Sequence, residues 1–322
     1  MHINYHALIG AAAQIRISLT IPVTSFSPVV LPIPGRIVDL QLRVTVPSTG
    51  NKLPIVLLSH GQGYSNYISS LDGYAPLYEF YASHGFAVLQ PTHLSSLFLK
   101  ITAPYGQEFW WQDRALDMTR ILDNLDKIEE TVPGLKGRLD RTRVAVVGHS
   151  MGAGTAAMLL GLQNTDPRNG SVWYKPETRI KAGVLLSGVG KGGADMSESG
   201  SKMMPFYGPD FSKMVTPALV VYGDKDVSPH LTKRGADWHG DIFTLAPKSK
   251  DLLVIKGGGH GLGGVAAWDA AETKDESPER LAVVQRMSLA YLRSQLFGDG
   301  SWAEARKAFE KLPAQGMVQS RD

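Results

Sequence analysis

Six short apolar runs, spaced along one chain and separated by longer segments, constrain this sequence more than any other feature. They are Pro54–Ser59, Phe86–Gln90, Arg143–Val147, Ala182–Ser187, Ala218–Tyr222 and Leu252–Ile255. Each is continuously apolar rather than alternating, as expected of strands covered on both faces. Helices are expected at Ala75–His84, Trp111–Ile128, Met151–Leu162, Pro278–Phe297 and Trp302–Leu312. In the second of these, Ala115, Met118, Ile121, Leu122 and Leu125 recur at helical spacing. The fourth has Ser277 before it, Pro278 at its first position and Gly298 after it, which are start and stop residues. Alternating strands and helices imply right-handed crossovers and one mostly parallel sheet with helices on both faces, an α/β fold.

Upstream the pattern differs. Ile15–Thr20 and Arg36–Val46 have period-two character, flank the Pro-rich stretch Pro28–Pro34, and end at Pro47-Ser48-Thr49-Gly50. They read as an antiparallel N-terminal strand pair. No linker divides the chain, so residues 1–322 are expected to form a single domain. Residues 191–215 stand out as a short lid-like insertion, and the polar tail 313–322 is expected to fray.

Composition narrows the function. With 322 residues, 43% of them apolar, the chain can bury a large core. A net charge of +3, with the basic residues scattered, gives no reason to expect a nucleic-acid partner. The absence of cysteine excludes disulfides, thiolate metal sites and a Cys nucleophile. No apolar run approaches the ~18 residues of a membrane span. The apolar stretch Ala7–Ala13 has no Lys or Arg before it, which favours a cytoplasmic protein over a secreted one. No H-E-x-x-H motif offers a metal site. Two G-x-G-x-x-G matches, at Gly188 and Gly259, lack a βαβ unit with a closing acid, so no nucleotide cofactor is expected.

The chemistry centres on Gly148-His149-Ser150-Met151-Gly152, which follows a strand run and opens a Gly/Ala-rich helical one. A strand–turn–helix elbow of this kind exposes a strained serine at the top of a sheet, and the flanking glycines remove side chains that would clash there. A serine hydroxyl needs a base. Of nine histidines, His260 is best placed, on the glycine-rich loop directly after the last apolar run. His149 is expected to point away from the serine and pack, His60 to serve its loop, and His93 to border the cleft. The base needs an orienting acid. Asp226 has the G-x-x-D spacing after the Ala218–Tyr222 run, whereas Asp224 suits a turn. The chain order Ser, Asp, His is that of an α/β-hydrolase arrangement. The backbone N–H groups of Gln62 and Met151 are the expected oxyanion donors.

Ser59-His60-Gly61-Gln62-Gly63, Ala82–Val88, Arg114 with its helix, and Leu139-Asp140-Arg141 through Gly152 together resemble the α/β-hydrolase superfamily. The resemblance spans roughly Pro54 to Gly261. Within that superfamily the nearest groups are the plasma-type platelet-activating-factor acetylhydrolases, chlorophyllases, bacterial cutinases or polyester hydrolases, and dienelactone hydrolase-like proteins. It implies a triad of Ser150, Asp226 and His260. One departure matters: acetylhydrolase-type members carry their acid after the strand matching Ala182–Ser187, and this chain has Ser187-Gly188 there. The implied activity is hydrolysis of a fairly hydrophobic carboxylic ester, small or polymeric, through an acyl-enzyme and without a cofactor. Lactone, polyester, amide or C–C hydrolysis by the same triad, or a non-catalytic ligand-binding protein on this fold, are the alternatives. Trp110 and Trp111, with Met203, Phe206 and Tyr207 of the insertion, are the expected substrate-binding residues. Trp238-His239 is a further candidate for the pocket wall. A monomer or small homo-oligomer is expected.

Overall fold

In the computed structural model, residues 8–63, 65–247, 249–267 and 275–321 are described; Ala7, the first residue of the N-terminal apolar stretch, and Asp322 lie outside them. Twelve strands occur among the described residues: β1 Val23–Leu31, β2 Leu40–Pro47, β3 Leu53–Ser59, β4 Ala87–Pro91, β5 Leu139–His149, β6 Gln163–Thr165, β7 Val172–Trp173, β8 Ile180–Leu186, β9 Pro209–Asp210, β10 Ala218–Gly223, β11 Lys250–Ile255 and β12 Gly316–Arg321. The α-helices are α1 Ala75–Ser83, α2 Trp111–Asp123, α3 Leu125–Thr131, α4 Met151–Leu159, α5 Glu198–Met203, α6 Asp241–Leu245, α7 Pro278–Phe297 and α8 Ser301–Phe309.

Nine strands form one sheet in the order β1-β2-β4-β3-β5-β8-β10-β11-β12. The inner pairings β4–β3, β3–β5, β5–β8, β8–β10 and β10–β11 are parallel, and β1–β2, β2–β4 and β11–β12 are antiparallel. This is the α/β architecture expected, with the antiparallel pair at the N-terminal side. Every residue of β3 and β4 is buried, which accounts for their unbroken apolar runs.

Successive strand residues feed two cores. Ile55, Leu57, Val144, Val146, Leu252 and Val254 pack on one face with side chains of α2, α3, α4 and α6. Their neighbours Val56, Leu58, Ala145, Val147, Leu253 and Ile255 pack on the other with α1, α7 and α8. Period-two strand geometry thus splits a continuous apolar run between both layers. The cap expected for α7 is present: Ser277 Oγ accepts from Arg280 N–H at 3.3 Å, and Gly298 closes the helix at φ 68°.

Four details differ from the sequence expectations. The first strand is Val23–Leu31, not Ile15–Thr20, and it runs through Pro28. Pro28 is tolerated because β1 is the sheet edge and a register shift lies between Phe26 and Val29, so no ladder hydrogen bond needs its missing N–H. The helix expected over Trp111–Ile128 breaks at Asn124, whose side chain bonds the Arg120 carbonyl at 2.8 Å. Within the tail expected to fray, Gly316–Arg321 pairs in register with all six residues of β11. There an edge strand is held by backbone bonds and by Ser320 and Trp302 on Asp251, with no apolar run to announce it. Finally, the lid-like insertion 191–215 is tied to the body of the fold. Its β9 pairs with β6, and Phe211 and Met214 are buried in the core.

Candidate active site

The elbow is fixed by contacts that only glycine permits. A Cβ on Gly148 would lie 2.0 Å from Gly152 O, and one on Gly152 would lie 2.0 Å from Ser59 O at the end of β3. Both clashes are with backbone, so no rotamer relieves them. Between these glycines, Ser150 adopts φ 55° and ψ −121°, a backbone strain held by the strand before it and the helix after it. The serine oxygen is thereby presented where β3, β5 and β8 end.

His260 and Asp226 come from separate loops and meet it there. His260 Nε2 lies 2.9 Å from Ser150 Oγ. His260 Nδ1 lies 3.0 and 3.1 Å from the two oxygens of Asp226. Asp226 is 1% exposed, and the turn that carries it is closed by its own N–H on Gly223 O. Burial works against the carboxylate's charge, but hydrogen bonds from His239 and His260 outweigh it and hold Asp226 well below the usual carboxylate range. Burial likewise disfavours the imidazolium of His260, yet the Asp226 carboxylate outweighs it and raises the imidazole above its ordinary 6.5. Asp224, the other carboxylate of this loop, accepts from Gly257 N–H at 2.7 Å, the turn role expected of it.

The loop after β3 is braced from behind by a buried polar cluster. Arg114 is fully buried and donates to Thr155 Oγ1 at 2.9 Å, to Ser95 Oγ at 2.6 Å and to the His60 carbonyl. His60 donates from Nδ1 to Gly61 O and accepts at Nε2 from His93 N–H. His93 contacts Ser59 Oγ at 3.0 Å and Asp117 at 3.1 Å. Desolvation holds both imidazoles well below their ordinary range, so they act as neutral braces. His93 therefore does not border the cleft as its sequence position suggests; it is buried under the loop. Gln62 Nε2 reaches Ser95 O at 3.0 Å. Among the described residues the backbone N–H groups of Gln62 and Met151 have no protein acceptor, so both are free to bind an oxyanion.

A cavity of about 390 Å³ opens beside Ser150, Met151 and Gln62. Its wall is mostly apolar and includes Trp111, Met158, Leu162, Met203, Phe206 and Tyr207. Trp111 stacks on Phe206 with ring centroids 5.1 Å apart and planes 3° apart. Four of the five expected substrate-binding residues therefore reach the cavity. Trp110 does not: the chain turns at φ 57° and 55° through Phe109 and Trp110, so Phe109 borders the cavity while Trp110 is buried outside it.

Trp238-His239 is not a wall element either. Trp238 is fully buried, and His239 sits behind the acid, its Nε2 3.3 Å from Asp226 Oδ1 and its Nδ1 2.5 Å from Gly188 O. Asp226, His239 and His260 are also three groups whose ligand atoms lie within 4.8 Å of one another. In this arrangement those atoms are already engaged with each other. His149 does turn from the serine, but it bonds Tyr74 and the His260 carbonyl rather than merely packing. Sequence reasoning gave His239 the wrong role, and it missed Tyr74, which belongs to no motif, and His230, which borders the cavity.

Residues 76–233 match the family model described as serine hydrolase (FSH1). The matched stretch contains Ser150 and Asp226, while Gln62 and His260 lie beyond it on either side. No curated protein matches the chain. The match supports a serine hydrolase of the α/β-hydrolase type, in agreement with the mostly parallel sheet. Among the described residues no helix is long and apolar enough to cross a membrane.

Proposed function

We propose that the protein hydrolyses carboxylic esters with a hydrophobic acyl or alcohol group, using Ser150 as nucleophile, His260 as base and Asp226 as its orienting acid. The observation that carries this reading is the 2.9 Å contact between His260 Nε2 and Ser150 Oγ at the mouth of an apolar cavity. His260 Nδ1–H is held by Asp226, which leaves the Nε2 lone pair facing the serine hydroxyl. Ser150 Oγ adds to the ester carbonyl as His260 takes its proton. The N–H groups of Met151 and Gln62 receive the developing oxyanion. The tetrahedral intermediate expels the alcohol, which takes the proton back from His260. Water, activated by the same imidazole, then releases the acid from the acyl-enzyme. No cofactor enters these steps. The apolar cavity supports a hydrophobic ester in particular, since burying each methylene contributes about 0.8 kcal/mol.

Ser150→Ala tests the reading. The variant should lose hydrolysis of p-nitrophenyl esters and labelling by a fluorophosphonate while keeping the wild-type fold. Retained turnover would remove the assignment. Labelled serine without ester turnover would move the chemistry to lactone, amide or C–C substrates. A wild-type protein that does not label at all would make it a binding protein.

A further inference from the structure

Gly61, beside the oxyanion donor Gln62, and His260, the base, sit on loops about two hundred residues apart in sequence. One file of buried hydrogen bonds joins them. Gly61 N–H donates to Tyr74 Oη at 2.9 Å. Tyr74 Oη lies 2.9 Å from His149 Nδ1. His149 Nε2 lies 2.8 Å from the carbonyl oxygen of His260.

The direction of each bond comes from chemistry. A carbonyl only accepts, so His149 carries a proton on Nε2. Desolvation in this buried position holds His149 down to about 3, so the ring is neutral and Nδ1 is an acceptor. The Tyr74 hydroxyl therefore donates to His149 and accepts from Gly61. Among the described residues each bond of the file pairs a donor with an acceptor.

We infer that Tyr74 and His149 are positioning residues that hold the oxyanion loop and the base loop in register across Ser150. This rests on the serine-hydrolase reading above. His149 is bonded covalently to Ser150, so the file is anchored on the nucleophile itself. The fit is tight: a Cβ on Gly61 would lie 2.8 Å from Tyr74 Oη and 3.2 Å from Ser150 Cβ. Tyr74 also donates its backbone N–H to Ala266 O at 2.9 Å, which ties it to the segment after His260 a second time. The His149 ring packs 5.0 Å from the His260 ring. Both ends of the file bear on the transition state, one through Gln62 N–H and one through the imidazole. Neither Tyr74 nor His149 borders the apolar cavity. Cutting the file should therefore slow acylation without weakening substrate binding.

The test uses steady-state p-nitrophenyl ester kinetics and the rate of fluorophosphonate labelling. Tyr74→Phe leaves the Gly61 N–H buried and unpaired and should lower kcat and labelling rate roughly 5- to 100-fold. KM should stay within about twofold, and labelling should still reach completion, which shows a folded site. His149→Gln, whose amide N–H reaches the His260 carbonyl, should keep more kcat than His149→Leu. The double variant Tyr74→Phe/His149→Leu should be no slower than His149→Leu alone, because both cut one file. Wild-type kcat in Tyr74→Phe, equal losses in His149→Gln and His149→Leu, or losses that multiply in the double variant would each overturn the inference. If Ser150→Ala retains turnover, the hydrolase reading fails instead, and the two failures are distinct.

Discussion

Asp226→Asn keeps the shape of the site and removes one charge, and the geometry determines how the imidazole responds. Asp226 Oδ1 faces both His260 Nδ1 at 3.0 Å and His239 Nε2 at 3.3 Å, whereas Oδ2 faces His260 Nδ1 at 3.1 Å. An asparagine with its carbonyl at the Oδ1 position keeps the acceptor contact to His260 Nδ1. Its amide nitrogen then stands where Oδ2 was, and two N–H groups oppose each other. The imidazole relieves this by moving its proton to Nε2 and accepting the amide N–H at Nδ1. Nε2–H then faces Ser150 Oγ as a donor, and no lone pair remains to take the serine proton. A tautomer reversal of this kind in a Ser-His-Asp triad costs about 10,000-fold in kcat, or roughly 5.5 kcal/mol of barrier. The assay is kcat on a p-nitrophenyl ester, with Asp224→Asn as control. The Asp224 carboxylate accepts from Gly257 N–H and, among the described residues, has no bond to His260 or Ser150, so its variant should stay within about threefold of wild type. Turnover above a tenth of wild type in Asp226→Asn, or the larger loss in Asp224→Asn, would refute the reasoning.

Three further outcomes are expected. Catalysis needs neutral His260, whose pKa is raised by Asp226, so kcat/KM should fall with decreasing pH through a value above 6.5; a limb below 6.5 contradicts the pairing. The stabilisation from the same pair has the opposite sign. It is complete below about pH 6.5 and is lost as pH rises through the folded-state value of His260, so thermal melts should show it declining where activity grows. Leu162→Phe adds bulk to the cavity wall and should lower kcat/KM for long-chain p-nitrophenyl esters about 10-fold while leaving the acetate within about threefold; equal losses on both would show that the acyl chain does not enter there.

The sequence reveals what its local chemistry dictates. The six buried strands are legible because burial on both faces demands an unbroken apolar run. The elbow is legible because Gly148 and Gly152 answer to contacts within a few residues and one neighbouring strand. Loop spacing already separates Asp226, which meets His260, from Asp224, which accepts from Gly257 N–H. The edge strands escape this reading. β1 tolerates Pro28 and β12 is polar, since an edge needs backbone pairing on one side only. Tyr74, and the place of His239 behind Asp226, escape it for another reason. Each meets its partner only after the sheet has brought distant loops together, and a lone His or Tyr carries no periodicity. Trp110 is misplaced by sequence reasoning because two consecutive residues with positive φ turn it away from its neighbour, a local reversal that composition does not announce.

The pentapeptide around Ser150 divides its labour unevenly. Its two glycines are pinned by carbonyl oxygens that cannot yield. The intervening positions answer to different neighbours: His149 to the Tyr74 hydroxyl and the His260 carbonyl, Met151 to the cavity that it lines. Diversification of this cavity should therefore leave the glycines untouched and begin at position 151, where shape can vary without disturbing the frame that presents the serine.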